Sequence, residues 1–105
     1  MNETSSGPNR YQVVYSEVVR NELKRLIARA AERGIDAGVR AAAREMDRRL
    51  RIFPQFGDLL ADLSLAPGEL RIGTVPPLVV KYALYDDRRL VIVSIPIATL
   101  PRSGL

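Results

Sequence analysis

The sequence predicts an α+β domain in which an antiparallel sheet carries a two-helix hairpin on one face. Two segments with apolar residues at helical spacing follow a short aromatic and β-branched segment. Three further β-branched segments then fill residues 70–97, separated by Pro76-Pro77 and by the charged residues 86–89. Together these observations predict the element order β-α-α-β-β-β.

The first strand and first helix are predicted from residues 11–34. Tyr11, Val13 and Tyr15 alternate onto one face of a strand. Ser16 is a favourable N-cap, and apolar residues repeat at helical spacing as far as Ala30. Gly34 is expected to end the helix.

The second helix is predicted to begin at Asp36, as its N-cap, and to end at Pro54. One apolar stripe runs along it, formed by Val39, Ala43, Met46, Leu50 and Phe53. Only Gly34 and Ile35 connect the two helices, so they are expected to form an antiparallel hairpin.

The segment after the second helix has a weaker pattern. Residues 56–63 are expected to pack a loop, or one helical turn, against the core, and Pro67-Gly68 indicates a turn. The strands that follow are predicted near residues 70–75, 78–85 and 89–95.

Length and composition restrict the class of protein. A chain of 105 residues predicts one domain, residues 11–105, after a flexible polar tail at residues 1–10. Cysteine and histidine are absent, so we expect neither a disulfide nor a zinc site, and no metal or cofactor. No apolar run is long enough to span a membrane and no secretory signal is recognisable, which predicts a cytoplasmic protein.

The basic charge favours an anionic partner. The net charge is +4 and the pI is near 10.0, which suits nucleic acid or an acidic protein. All basic residues except Lys24 and Lys81 are arginine, a bias that the base composition of a genome also produces. Several arginines follow the helical hairpin away from its apolar stripes, where they form either a solvated face or a basic patch.

The chain resembles the RelE/ParE superfamily, the toxins of bacterial type II toxin–antitoxin modules that are often labelled plasmid stabilisation proteins. The resemblance rests on the element order, on residues 75–82 (VPPLVVKY), on Asp86-Asp87 and on residues 89–93 (RLVIV). It implies a compact α+β domain that a small cognate antitoxin wraps and neutralises. Members similar to RelE cut mRNA in the ribosome, and members similar to ParE poison DNA gyrase.

The chain departs from this family where RelE-like members carry catalytic residues. Val79 and Val80 precede Lys81-Tyr82, where the family often has arginine. The segment after the last strand has Arg102 but neither histidine nor tyrosine. RNA cleavage in which a 2′-hydroxyl attacks its adjacent phosphate needs a base, an acid and cationic stabilisation of the phosphate. No residue here is an obvious base.

Alternation along the strands gives a candidate set for such chemistry. Lys81 and Tyr85 share one face of the central strand, and we expect Arg71 and Ser94 beside them. Arg102 is expected to close over this face from the tail. Arg71, Lys81 and Arg102 would stabilise charge and Tyr85 would act as the acid. The alternative interpretation is that Arg71 and Lys81 are ordinary solvated positions of an exposed sheet face and that Tyr85 is a half-buried strand aromatic.

The last strand gives the best sequence indication of a partner. Leu90 and Ile92 alternate with further apolar residues, so both faces of the strand are apolar. A half-exposed antiparallel strand would alternate with polar residues instead. Leu90 and Ile92 are therefore expected either to bind an antitoxin or a second copy of the chain, or to be covered by the C-terminal tail. Arg88 and Arg89, in the preceding turn, are candidates for phosphate contact or simple solvation.

Three functional hypotheses follow. The first is a toxin-like protein that binds a cognate antitoxin and acts on gyrase or on the ribosome with mRNA, without the RelE-type catalytic set. The second is a ribosome-dependent mRNA endoribonuclease that uses Arg71, Lys81, Tyr85 and Arg102. The third is a non-toxic binding or dimerisation module of the same fold.

Overall fold

A computed structural model of the chain describes residues 10–63 and 67–105. The elements are β1 (Gln12–Tyr15), α1 (Glu17–Glu32), α2 (Asp36–Ile52), β2 (Asp58–Leu63), β3 (Gly68–Val75), β4 (Leu78–Tyr85), β5 (Leu90–Val93) and β6 (Ala98–Thr99). This arrangement confirms the predicted α+β class. Along the chain, both helices come between the first strand and the remaining strands. All of the predicted tail except residue 10 lies outside the described residues.

The strands form one sheet in the order β1-β5-β4-β3-β2. The short strand β6 pairs with the start of β4, beyond the end of β5. β1 is parallel to β5, and the other pairs are antiparallel. A parallel pair needs a long crossover, and the helical hairpin supplies it.

The helix boundaries agree with the prediction except at the start of α2. Ser16 Oγ accepts a hydrogen bond from the Val19 amide at 3.2 Å, as expected of an N-cap. Gly34 follows α1 in the left-handed region, with φ of 71°. The prediction that Asp36 caps α2 was wrong: Ile35 holds the cap position, and the Asp36 carboxylate contacts Arg40 Nε at 3.2 Å.

The hydrophobic core lies between the two helices and one face of the sheet. From the predicted stripe of α2 it contains Val39, Met46 and Leu50, whereas Ala43 is only partly buried and Ala42 takes its place in the core. The sheet contributes Val91 and Val93 of β5 and the alternate residues of β4, which are Leu78, Val80, Tyr82 and Leu84. Phe53 was predicted in the stripe and is 57% exposed. Since α2 ends at Ile52, helical spacing no longer determines where Phe53 points.

The segment at residues 58–63 forms an edge strand and not the predicted loop or helical turn against the core. β2 pairs only with β3 among the described strands, and its residues are exposed except for the half-buried Leu63. The register shifts between Leu59 and Ala61. Leu59 and Leu60 follow one another at this shift, so the segment lacks the alternation that identifies a strand.

A 3₁₀ turn at Pro54–Phe56 links α2 to the sheet. The Phe56 ring lies 6.0 Å from the Tyr82 ring and covers Gly73. A Cβ atom on Gly73 would lie 2.6 Å from the Phe56 ring, so this close approach requires glycine. The turn therefore closes the end of the core that the helices leave open.

The C-terminal tail runs from the sheet to the turn between the helices. The Leu100 amide donates to Pro77 O at 2.9 Å, and Arg33 Nη1 donates to Gly104 O. Leu105 packs against the core. The tail therefore lies on the helical side, and the expectation that it covers Leu90 and Ile92 was wrong. Within the described residues, no helix combines the length and the hydropathy needed to cross a membrane.

Candidate functional site

The sheet face opposite the helices is largely apolar, with Gln12 and Thr74 also on it, and is not covered by any described element. One row of aligned residues crosses five strands on this face, formed by Val14, Ile92, Ala83, Leu70 and Ala61. Their neighbours Leu90, Tyr85, Ile72 and Val79 lie on the same face. We call this surface the open sheet face. It places the predicted partner-binding residues Leu90 and Ile92 together on one surface.

Both faces of β5 are apolar, but they differ in burial. Val91 and Val93 are fully buried beneath the helices, whereas Leu90 and Ile92 are partly exposed on the open sheet face. Val14 adds an apolar side chain that is 42% exposed. The prediction that both faces of the last strand are apolar is therefore confirmed.

Lys81 is the one charged residue of β1, β3, β4 and β5 on the open sheet face. It lies on β4, the central strand, directly opposite Ile72, and its side chain is exposed. Within the described residues it has no acidic side chain at salt-bridge distance. Asp58 lies in the same row but on β2, with Ile72 between the two.

Arg71 does not share a face with Lys81, contrary to expectation. It pairs with Tyr82, so its side chain lies on the helical side of the sheet. Arg71 Nε donates to Glu69 Oε1 at 2.8 Å, and Nη1 donates to Gly57 O at 2.5 Å. The side chain is 16% exposed. These contacts give Arg71 a structural role in holding the 3₁₀ turn.

The other candidate catalytic residues lie at separate positions along the length of the sheet. Tyr85 lies four residues beyond Lys81, which is roughly 13 Å along a strand. Arg102 follows β6, which pairs with the opposite end of β4. Ser94 is exposed just beyond β5. The structure thus keeps Lys81 and Tyr85 on one face but does not bring the four predicted residues into one site.

Tyr82 is a fully buried tyrosine of β4, and its hydroxyl is unsuited to proton transfer. Its hydroxyl donates to Pro54 O at 2.5 Å and accepts from the Gly57 amide at 3.2 Å. Burial raises the pKa of this hydroxyl to about 12, although the Gly57 amide and Arg71 act in the opposite direction. The hydroxyl therefore links β4 to the 3₁₀ turn.

Arg88 and Arg89 lie at the hairpin between β4 and β5, as predicted, and both are exposed. The Arg89 guanidinium lies over the Tyr11 ring, 4.9 Å from its centroid. Tyr11 in turn donates to Asp86 Oδ1. Arg89 is therefore engaged in packing the first strand against the hairpin, while Arg88 has no such contact within the described residues.

Several arginines of the helical hairpin form ion pairs with neighbouring acids. Arg48 and Arg49 both donate to Glu45, and Arg51 donates to Asp47. Hydrogen bonds, from Arg48 first, lower the pKa of Glu45 to about 2. Such pairing at spacings of three and four residues is typical of a solvated helix surface, which favours that interpretation over a basic patch.

A cavity of about 600 Å³ lies on the helical side of the sheet, beside β2. Acidic side chains predominate among the charged residues of its lining, which are Asp62, Glu69, Asp86, Asp87 and the paired Arg71. The rest of the lining includes Gln55 and the apolar Leu63, Pro67 and Leu84. No group of three potential metal-ligating residues occurs in the described residues.

Sequence reasoning missed Val14, Leu70 and Ile72 as members of the open sheet face. The signal that would have placed Leu70 and Ile72 is the length of the turn between β3 and β4. Val75 pairs with Leu78, so Pro76 and Pro77 form a two-residue connection. Counting back from this turn places Arg71 opposite Tyr82 and Leu70 and Ile72 on the other face.

Comparison with protein-family models, curated proteins and solved structures gives no significant match to this chain.

Proposed function

We propose that this chain is a toxin-like component of a type II toxin–antitoxin module, and that it binds its cognate antitoxin through the open sheet face. The apolar row that crosses five strands carries the proposal. Soluble monomers rarely leave a contiguous apolar surface of this kind without a partner. The element order and the residues that resemble the RelE/ParE superfamily support the choice of partner.

The arrangement favours binding over RNA cleavage. Arg71 is committed to Glu69 and Gly57 on the helical side, and Arg102 lies at the opposite end of β4 from Tyr85. A general acid must lie within hydrogen-bond reach of the group that it protonates while a cation holds the same phosphate. The proposed function therefore does not include the endoribonuclease reaction.

Lys81 indicates the chemistry of the partner. A second copy docked on this face about a two-fold axis would place Lys81 near its own counterpart, because β4 is the central strand. Bringing two ammonium groups together while removing water is unfavourable. A segment of a different protein, with apolar residues and one carboxylate to pair with Lys81, fits the face better.

Expression in a bacterial host tests the toxin-like activity. We expect growth arrest that is relieved by co-expression of the adjacent gene product, and uncut mRNA by primer extension. Harmless expression would contradict the toxin proposal. Codon-phased cuts in mRNA would instead favour the endoribonuclease hypothesis.

A pair of matched variants tests the surface. Ile92→Asp places a charge in the apolar row, and Val18→Asp places the same charge on an α1 side chain that is 59% exposed. We expect Ile92→Asp to weaken the complex with the adjacent gene product about tenfold or more, while Val18→Asp has little effect. Circular dichroism of both variants establishes that they fold. Equal affinity of the two folded variants would show that the antitoxin binds elsewhere.

A further inference from the structure

The strand β2 presents an edge of the sheet that is distinct from the open sheet face. It is the last strand in the order β1-β5-β4-β3-β2 and pairs only with β3 among the described strands. Its six residues include Leu59 and Leu60, which are 50% and 47% exposed. One side of its backbone therefore has hydrogen-bonding groups that no described strand satisfies, next to exposed apolar side chains.

Natural edge strands usually carry features that prevent pairing with another chain. β2 has one such feature, the register shift between Leu59 and Ala61, but it contains neither lysine nor proline, and at six residues it has the length of an ordinary strand. Its two charges are both acidic, Asp58 and Asp62. The opposite edge strand, β1, is shorter and its ends are tied to α2 and β5 by backbone hydrogen bonds from Tyr11 and Ser16.

The charge of this edge determines which strand it accepts. Pairing β2 with β2 of a second copy would bring four aspartates onto two adjacent strands, which is unfavourable. A strand with basic residues would instead place opposite charges across the new pair. The acidic cavity begins at this edge, where Asp62 lines it, and extends inward across β3 to Asp86 and Asp87. Its volume of about 600 Å³ accommodates a long basic side chain from such a strand.

We propose that the β2 edge binds an extended, basic segment of another protein, which adds a strand to the sheet and places an arginine or lysine in the acidic cavity. In this mode of recognition the backbone hydrogen bonds supply affinity and the side-chain pocket supplies selectivity. This site is separate from the open sheet face, and its occupant differs in charge from the acidic and apolar segment proposed there.

Selection from random peptides tests the proposal without knowledge of the natural partner. The probe is a phage library of peptides of about eight residues, the span of a strand, selected on the immobilised full-length protein. We expect the recovered peptides to alternate Lys or Arg with β-branched residues. A synthetic copy of one of them should slow amide hydrogen exchange at residues 58–63. Recovery of acidic peptides, or protection confined to other strands, would overturn the proposal.

Two matched substitutions locate the site. Asp62→Lys reverses one charge at the edge, and Glu32→Lys makes the same change at an exposed position of α1. We expect Asp62→Lys to weaken binding of the basic peptide about tenfold and Glu32→Lys to leave it unchanged. Equal affinity for both variants would overturn the proposal. Ile92→Asp separates the two surfaces, because it should impair the open sheet face and spare the peptide.

The same variants exclude a second copy as the occupant. We expect sedimentation of the unmodified protein to give a monomer at the peptide-binding concentrations. A dimer in the unmodified protein whose association changes on Asp62→Lys, but not on Glu32→Lys, would mean that β2 pairs with itself and would overturn the proposal.

Discussion

The Tyr82 hydroxyl shows how one buried side chain holds two elements together. It donates to the carbonyl of Pro54 and accepts from the amide of Gly57. Arg71 reinforces the same turn through Gly57 O and Gln55 O. Arg71, a candidate catalytic residue in the sequence, thus serves together with Tyr82 to fasten the 3₁₀ turn to the sheet.

Replacing Tyr82 with phenylalanine is expected to lower the free energy of unfolding by about 1–3 kcal/mol, because two buried backbone groups lose their partner. Urea denaturation measures the effect. Tyr85→Phe is the control, since the Tyr85 hydroxyl has no hydrogen bond within the described part of the chain, and a change below about 0.5 kcal/mol is expected there. Equal losses in the two variants would contradict this role of Tyr82.

Single residues were predictable where a local pattern determines their environment. Ser16 was identified as a cap because its side chain bonds to a backbone only three residues away. Arg71 was placed on the wrong face because its position depends on the pairing of β3 with β4. A register difference of one residue moves every side chain of a strand to the other face.

At the scale of elements, the helical hairpin depends on the backbone conformation at its turn. Gly34 has φ of 71°, and Gly38 lies within the first turn of α2. A Cβ atom at either position would have no neighbour within 4 Å. The two glycines therefore differ in backbone conformation but not in the space around them.

Alanine substitutions at these glycines are expected to have opposite effects. Gly34→Ala should destabilise the fold by about 1 kcal/mol, because L-residues are disfavoured in the left-handed region. Gly38→Ala should stabilise it by about 0.5–1 kcal/mol through helix propensity. Thermal and urea unfolding of both variants provide the measurement. A stabilising effect of Gly34→Ala would show that this turn does not require its left-handed conformation.

The two helices were predictable as elements because their apolar residues repeat over several turns. β2 was not, because Leu59 and Leu60 are adjacent at a register shift and both are exposed. A strand whose two faces are similarly exposed leaves no alternation to detect. Its pairing with β3 is what makes it a strand.

At the scale of the whole molecule, all described helices lie on one side of the sheet. The tail also returns to that side, where Leu105 packs against the core. The open sheet face consequently remains accessible in the isolated chain. This asymmetry is the basis of the proposed function.

An accessible apolar face should bind a hydrophobic dye while the protein is native. Ile92→Thr keeps the β-branched shape but removes apolar surface, and we expect it to reduce native-state anilinonaphthalene sulfonate fluorescence by about half. Val18→Thr, on α1, should change the signal much less. Near-UV circular dichroism must show that both variants retain native packing, because loosely packed states also bind this dye. An unchanged signal in Ile92→Thr would mean that the face is covered.

The sequence by itself determined the α+β class, the helical hairpin and an apolar last strand, because each depends on residues close together in the chain. The unbroken apolar run from Leu90 to Val93 was sufficient to indicate that both faces of β5 are covered, by this chain or by a partner. Only the tertiary structure decided that helices cover one side and that Leu70, Ile72 and Val14 extend the other into a continuous face. Pairing between distant strands sets the register, and no local pattern contains that information.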